Sequence, residues 1–155
     1  MKATKTVGVL SIIAGIVMII AGAATYATVA AQLKAEAITV PGDSAFMGGM
    51  FAGKPVAGPL SAYAQADIIN HHALAGTDGK TYAELGALAN EAKEKGDAEA
   101  EENFRTQRAT VMNASFLRAS LFSSVIAFGV AALVMGLGLI VGLIGWALTT
   151  IRSAE

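Results

Sequence analysis

Two stretches of this chain carry no charge at all. None falls between Lys5 and Lys34, a run of 28 positions, or between Arg118 and Arg152, a run of 33. A bilayer core about 30 Å thick is crossed by roughly 20 apolar residues in a helix, so each run can span with residues to spare. The first core reads VGVLSIIAGIVMIIAGAATY from Val7 to Tyr26, and the weaker TVAAQL after it predicts emergence into the headgroup layer. The second core reads LFSSVIAFGVAALVMGLGLIVGLIGWAL, from Leu121 to Leu148. The expectation is an all-α membrane protein, with two transmembrane helices forming a hairpin that carries a mostly helical extracytoplasmic loop domain. Its segments are a cytoplasmic tail over 1–6, a span over 7–31, the loop domain over 32–116, a span over 117–149 and a cytoplasmic tail over 150–155. A cleaved signal peptide is the competing reading of the first segment, with Lys2 and Lys5 as its charged region and Ala21-Gly22-Ala23 suiting a peptidase. Its apolar stretch exceeds the roughly 7–15 residues of a signal core, which favours an uncleaved anchor.

Inside the spans, glycine sets the pattern. Gly8, Gly15 and Gly22 recur every seven residues, with Ser11 and Met18 between them on the same side. In the second span Gly129, Gly136, Gly138, Gly142 and Gly145 remove bulk, and Gly138 with Gly142 forms a GxxxG pair. Small residues let helix backbones approach closely in lipid, where no hydrophobic drive separates helix from acyl chain. These faces serve either to pack the two spans on each other or to dock on another subunit.

The intervening segment begins extended. Ile38-Thr39-Val40 predicts a short strand stopped by Pro41-Gly42-Asp43, and the Gly-rich residues 44–60 predict no persistent element. Phe46, Met47, Met50 and Phe51 are costly to leave bare there, and a membrane surface, the rest of the loop or a partner would cover them. From Ser61 the pattern turns helical, with Leu60, Ala64, Ile68 and His72 at four-residue intervals and Gly76 as a stop. Thr77-Asp78-Gly79-Lys80 reads as a turn. Thr81 and Glu84 fit a capping box, opening a helix lined by Leu85, Leu88 and Ala92 that Gly96 interrupts. Beyond it no breaker occurs, and one helix is expected from near Ala98 through the second span to about Ile151, roughly 80 Å long.

Charge adds orientation. Lys2, Lys5 and Arg152 flank the spans on short tails, whereas the loop holds 11 acidic and 7 basic residues. Positive-inside asymmetry then puts both termini in the cytoplasm of a plasma-membrane protein, with Tyr26 and Trp146 at opposite interfaces. Only 15% of residues are charged, against about a quarter in soluble domains. A net charge of −1 supplies no basic field for nucleic acid. With no cysteine, disulfides, zinc ribbons, iron–sulfur clusters and thiol nucleophiles are excluded.

Candidate chemistry is sparse. His71 and His72 are the only histidines, and as neighbours on a helix they point about 100° apart, a poor start for a metal site. Asp67 lies four residues before His71, so a carboxylate–imidazole pair is possible. A hydrogen-bonded pair at a packing or partner surface, a copper site with Met47 or Met50, and a pH-sensitive contact all stay open. Tyr63, Gln65 and Asn70 form a polar contact strip or a solvated face. Asn113-Ala114-Ser115 matches the glycosylation pattern, a weak signal. The sequence contains no nucleophile elbow, Walker loop, dinucleotide fingerprint or HExxH motif. Neither apolar core, Val7–Tyr26 or Leu121–Leu148, holds an ionisable acid, base or histidine, which speaks against ion transport by this chain alone. A non-enzymatic protein without cofactors or metal is expected.

SAYAQADIINHHAL (61–74), GKTYAEL (79–85) and TVMNASFLRASLFSSVIAFGVAALVMGLG (110–138) resemble a group of small two-span membrane proteins from actinobacteria. With the first span, the similarity covers about two-thirds of the chain. Members are often labelled "aromatic ring-opening dioxygenase", but an iron dioxygenase uses two histidines and a carboxylate on one face, which neighbouring histidines do not supply. The resemblance implies an accessory subunit of the respiratory supercomplex that joins a cytochrome bc complex to cytochrome oxidase. The partner or packing candidates are then Gly8, Gly15, Gly22, Gly138, Gly142, Phe46, Met47, Met50, Phe51, Tyr63, His71 and His72, facing lipids and larger integral membrane subunits. The alternative is an extracytoplasmic module, anchored by two helices, that binds a metal or envelope ligand through His71 and His72.

Overall fold

The computed structural model describes residues 2–151; Met1 and residues 152–155, with Arg152 and most of the expected C-terminal tail, lie outside the described residues. Helix α1 runs over Lys2–Ala35, α2 over Pro59–Ala75, α3 over Tyr82–Glu94 and α4 over Ala98–Thr150, with a short 3-10 turn at Phe46–Gly49. Among the described residues there is no strand. Ile38-Thr39-Val40 makes only one antiparallel bridge, Thr39 to Pro55, because the Gly-rich chain turns away on either side of it. Among the described residues, α1 and α4 are by length and composition the two helices apolar enough to cross a membrane.

Both long helices arise from the absence of breakers. No proline interrupts α1 or α4, and a helix satisfies its own backbone groups wherever water is absent. The hydroxyls in their apolar stretches are satisfied locally as well. Thr25 and Thr28 donate to the carbonyls of Ala21 and Ala24 at 3.0 and 2.9 Å, and Ser123 donates to Ala119 O at 2.8 Å. Asp97 starts α4 by accepting from the Ala100 amide at 3.0 Å. Glu99 and Glu101 follow in the first turn, where acids complement the helix dipole.

The chain divides into two compact units, one of α1 with α4 from Ile126 onward and one of Ala37–Val125. In the first, Gly8 lies against Gly145, Gly15 against Gly138 and Gly142, and Gly22 against Ala131 and Met135. Positions rise on one helix as they fall on the other, so the two segments run antiparallel. Tyr26 stacks on Phe128 with ring centroids 4.6 Å apart. Outside this seam the surface is bare aliphatic chain, including Ile13, Ile16, Ile20, Leu133, Ile140 and Leu143.

The second unit has a small conventional core of Val40, Val56, Ala62, Ala64, Ala66, Ile68, Leu85, Ala89, Ala92, Val111 and Leu121. Val40 and Val56 enter it through the bridge, which is held by Val40 N–H to Lys54 O, Gly53 N–H to Val40 O and Val56 N–H to Ile38 O, each 2.9 Å. Helix α2 begins at Pro59, two residues before the position its pattern predicts. Proline suits the first turn because its missing N–H would be unpaired there anyway, and Ser61 Oγ accepts from the amides of Ala57 and Gly58.

The buried face of α2 also differs from the expected stripe. Ala64 and Ile68 are buried, but Leu60 and His72 are exposed, and Ser61, Ala62, Gln65 and Ala66 point inward instead. At about 100° per residue, three steps of four turn the stripe through roughly 120°, which takes its ends off the core.

Two turns follow. Thr77, 1% exposed, directs its hydroxyl at the carbonyls of Ala73, Leu74 and Lys80 and ties the 76–80 turn together. The Thr81–Glu84 capping box forms, with Thr81 N–H donating to Glu84 Oε2 at 2.8 Å and Glu84 N–H to Thr81 Oγ1 at 3.4 Å. Helix α3 ends on Gly96 at φ +73°. Gly96 N–H donates to Lys93 O and Asp97 N–H to Ala92 O, the paired bonds of a Schellman stop.

Candidate functional site

The glycine seam is the tightest feature of the helix pair. A methyl group added at Gly15 would lie 2.5 Å from Gly138 O, one at Gly8 2.7 Å from Gly145 O, and one at Gly22 2.6 Å from the Met135 side chain. From the other side, methyls on Gly138 and Gly145 would lie 2.7 and 2.6 Å from the carbonyls of Gly15 and Gly8. Gly138 and Gly142 do not act as an equal pair. Gly142 offers its backbone to Gly15, but its own missing side chain would point into open space. Gly145, absent from the predicted candidate set, takes the role on α4. Its spacing of seven from Gly138 repeats the rule of α1, and that signal was legible.

Gly129 and Gly136 stand apart from the seam. Nothing lies within 4 Å of a methyl placed on either one, and both are exposed, as is Ala132 between them. The pair is again seven residues apart. Helix α4 therefore carries two rows of small residues, one filled by α1 and one open.

In the second unit an aromatic ladder organises the Gly-rich segment. Ring centroids are 6.0 Å apart for Phe51 and Phe46, 4.9 Å for Phe46 and Tyr63, and 5.7 Å for Tyr63 and Phe122. Phe46 and Phe51 are half-buried by these contacts. Met47, on the 3-10 turn, and Met50, just after it, are 53% and 54% exposed. Met47 adopts a left-handed conformation, φ 48° and ψ 44°, which non-glycine residues adopt only at some cost. Tyr63 is thus a bridging ring. Gln65, which the sequence offered with it as part of a polar contact strip or a solvated face, is instead buried, and its Oε1 has no hydrogen-bond partner. The small neighbours of Gln65 on α2 draw that face into the core.

The histidines diverge, with ring centroids 6.2 Å apart. Asp43 Oδ2 accepts from His72 Nε2–H at 2.7 Å, whereas the sequence had offered Asp67 and His71 as the possible pair. Asp43 lies 29 positions from His72, beyond any local pattern. The hydrogen bond from His72, first among the causes, holds the Asp43 carboxyl below the ordinary carboxylate range. His71 faces an open groove of about 400 Å³ whose polar lining is Asp43, Asp67, Asn70 and His71. Among the described residues, no three metal-ligating side chains converge. A second unforeseen contact places the Arg108 guanidinium 4.0 Å over the Tyr82 ring, with Gly86 leaving the room it occupies. Asn113 of the glycosylation pattern is exposed on α4.

Set beside known proteins, the chain stands on these features alone: no family model, curated protein or solved structure matches it.

Proposed function

We propose that the protein is a non-catalytic accessory subunit that packs on a larger integral membrane complex, the respiratory cytochrome bc–oxidase supercomplex of an actinobacterial plasma membrane being the assembly its sequence resemblance points to. In this reading α1 and the apolar part of α4 cross the bilayer as a hairpin. Lys2 and Lys5 hold the N-terminus in the cytoplasm, and residues 32–116 stand outside. The observation that carries the docking role is the open glycine row of α4, Gly129 and Gly136 with Ala132 between them. One row of small residues is sufficient for packing on α1. A second row exposes backbone to close approach by another helix, the mode of association favoured in lipid.

The test is a tagged pull-down in mild detergent from native membranes, read by mass spectrometry and haem absorbance. Stoichiometric recovery of cytochrome bc and oxidase subunits with the wild type, lost with Gly136→Leu, supports the reading. Recovery of the protein alone, from membranes whose supercomplex survives the same detergent, overturns it. Cysteine substitution at Ala3 and Ala75 on the cysteine-free background tests orientation, since labelling of Ala3→Cys from outside intact cells contradicts a cytoplasmic N-terminus.

A second reading rests on the groove beside α2. Asp43, Asp67 and His71 on its lining would favour a cationic ligand, held by an outer domain that the two helices anchor. Replacing His71 and His72 with alanine would then abolish ligand binding and leave any assembly intact.

A further inference from the structure

We propose that the Gly-rich segment between Asp43 and Lys54 is a membrane-interface foot, inserting Met47 and Met50 into the leaflet that α4 enters near Arg118; this rests on reading α4 as a membrane span. Phe122 lies one residue inside the charge-free core that begins at Leu121. Arg118, the last charged residue before that core, holds its guanidinium 5.8 Å from the Phe122 ring. The rise between them is about 6 Å, so Phe122 sits just below the level where a snorkelling arginine reaches the headgroups. Tyr63 packs on Phe122, Phe46 on Tyr63 and Phe51 on Phe46. The four rings therefore link the Gly-rich segment to the point where α4 would enter the bilayer, and Phe122 itself lies at the depth that aromatic belts occupy.

Three observations favour lipid as what covers the patch. The segment from Ser44 to Gly53 is uncharged, yet its Met47 and Met50 are more than half exposed. Lys54 at its edge lies 5.9 Å from the Phe51 ring, placing a cation at the rim where lipid phosphates lie. Phe116 and Leu117, one turn or less before Arg118 on α4, are also exposed, at 65% and 58%. Apolar side chains with cations beside them, here Lys54 and Arg118, are how monotopic segments bind an interface, and the acid on the other flank, Asp43, is taken up by His72. The ladder joins the patch to Phe122, one residue inside the charge-free core of α4, so the bilayer that would hold that core is near enough to receive the patch.

The test uses the full chain reconstituted in vesicles of phosphatidylcholine and phosphatidylglycerol, with single cysteines at Met50, Leu133 and Asn90 carrying an environment-sensitive fluorophore. Leu133→Cys reports whether α4 is in the bilayer, and exposed Asn90→Cys on α3 is the water control. The expected result is that the Met50 label shifts to the blue and loses most of its emission to a lipid nitroxide near the headgroup. The Leu133 label should respond to a nitroxide near the acyl-chain end, and the Asn90 label only to aqueous iodide. A Met50 label open to iodide while Leu133 is quenched from within the bilayer overturns the foot but not the span. A Met50 label shielded from both nitroxide and iodide overturns the foot in favour of a second copy covering the patch. A Leu133 label open to iodide removes the membrane reading on which the foot rests.

Discussion

The helix pair and the Ala37–Val125 unit achieve close packing by opposite means. Between α1 and α4 the contact is made by what the residues lack: carbonyls of Gly8 and Gly15 lie where methyl groups of Gly145 and Gly138 would otherwise be. In the Ala37–Val125 unit it is made by side chains that fill space, with Leu85, Val40 and Val56 fully buried and a turn tied by the Thr77 hydroxyl. On the proposed reading, in which α1 and α4 cross a bilayer, the difference follows from solvent. Aliphatic side chains gain little by leaving lipid for a helix interface, so close backbone approach and dispersion must hold the pair. In water, the removal of apolar area drives packing, and volume is an advantage.

That contrast predicts which substitutions are severe. Gly15→Leu should have the largest effect, about 3 kcal/mol or more, as overpacking goes beyond what a side-chain shift can absorb. The obstructing atoms belong to the backbone of α4, and thermal unfolding of the detergent-solubilised protein would register the change. Gly129→Ala is its counterpart. With open space around it, this substitution should be neutral or stabilising by up to about 1 kcal/mol from helix propensity, and an equal loss in both variants would break the distinction between the two rows.

In the other unit the severe change is in the opposite direction, from large to small. Leu85→Ala should cost about 2–5 kcal/mol through lost burial and a residual cavity, measured as a lower denaturation midpoint by circular dichroism. Thr77→Val keeps the shape and deletes the hydroxyl, so about 1–2 kcal/mol is expected from the loss of its one buried hydrogen bond. The smallest effect belongs to Asp43→Asn. Because the folded carboxyl titrates below its ordinary value, its contribution is complete above the unfolded carboxylate range and fades as pH falls through the lowered folded value. The wild type should therefore show a slight advantage over Asp43→Asn at neutral pH that disappears on acidification below about pH 4, read from unfolding midpoints across a pH series.

Much of the helical layout was legible because its causes are local. The Thr81–Glu84 box, the Gly96 stop and the start of α4 near Ala98 each depend on residues close together in the chain, and each forms at the predicted place. The α2 face was misjudged because three of its six buried residues are alanine and carry little periodic signal. Which side of such a helix turns inward is decided by what packs against it. The Asp43–His72 bond, the Arg108–Tyr82 stack and the ladder from Phe51 to Phe122 join positions far apart in the chain, where spacing holds no information.

The sequence by itself determined where the long helices run, where the short ones stop, and that two helices are apolar enough to cross a membrane, since charge, breakers and caps act through neighbouring residues. Only the tertiary structure decided which glycine row of α4 meets α1, which histidine takes a carboxylate and which methionines stay bare. Those outcomes depend on distances between segments remote in sequence, and such distances exist only once the chain has packed.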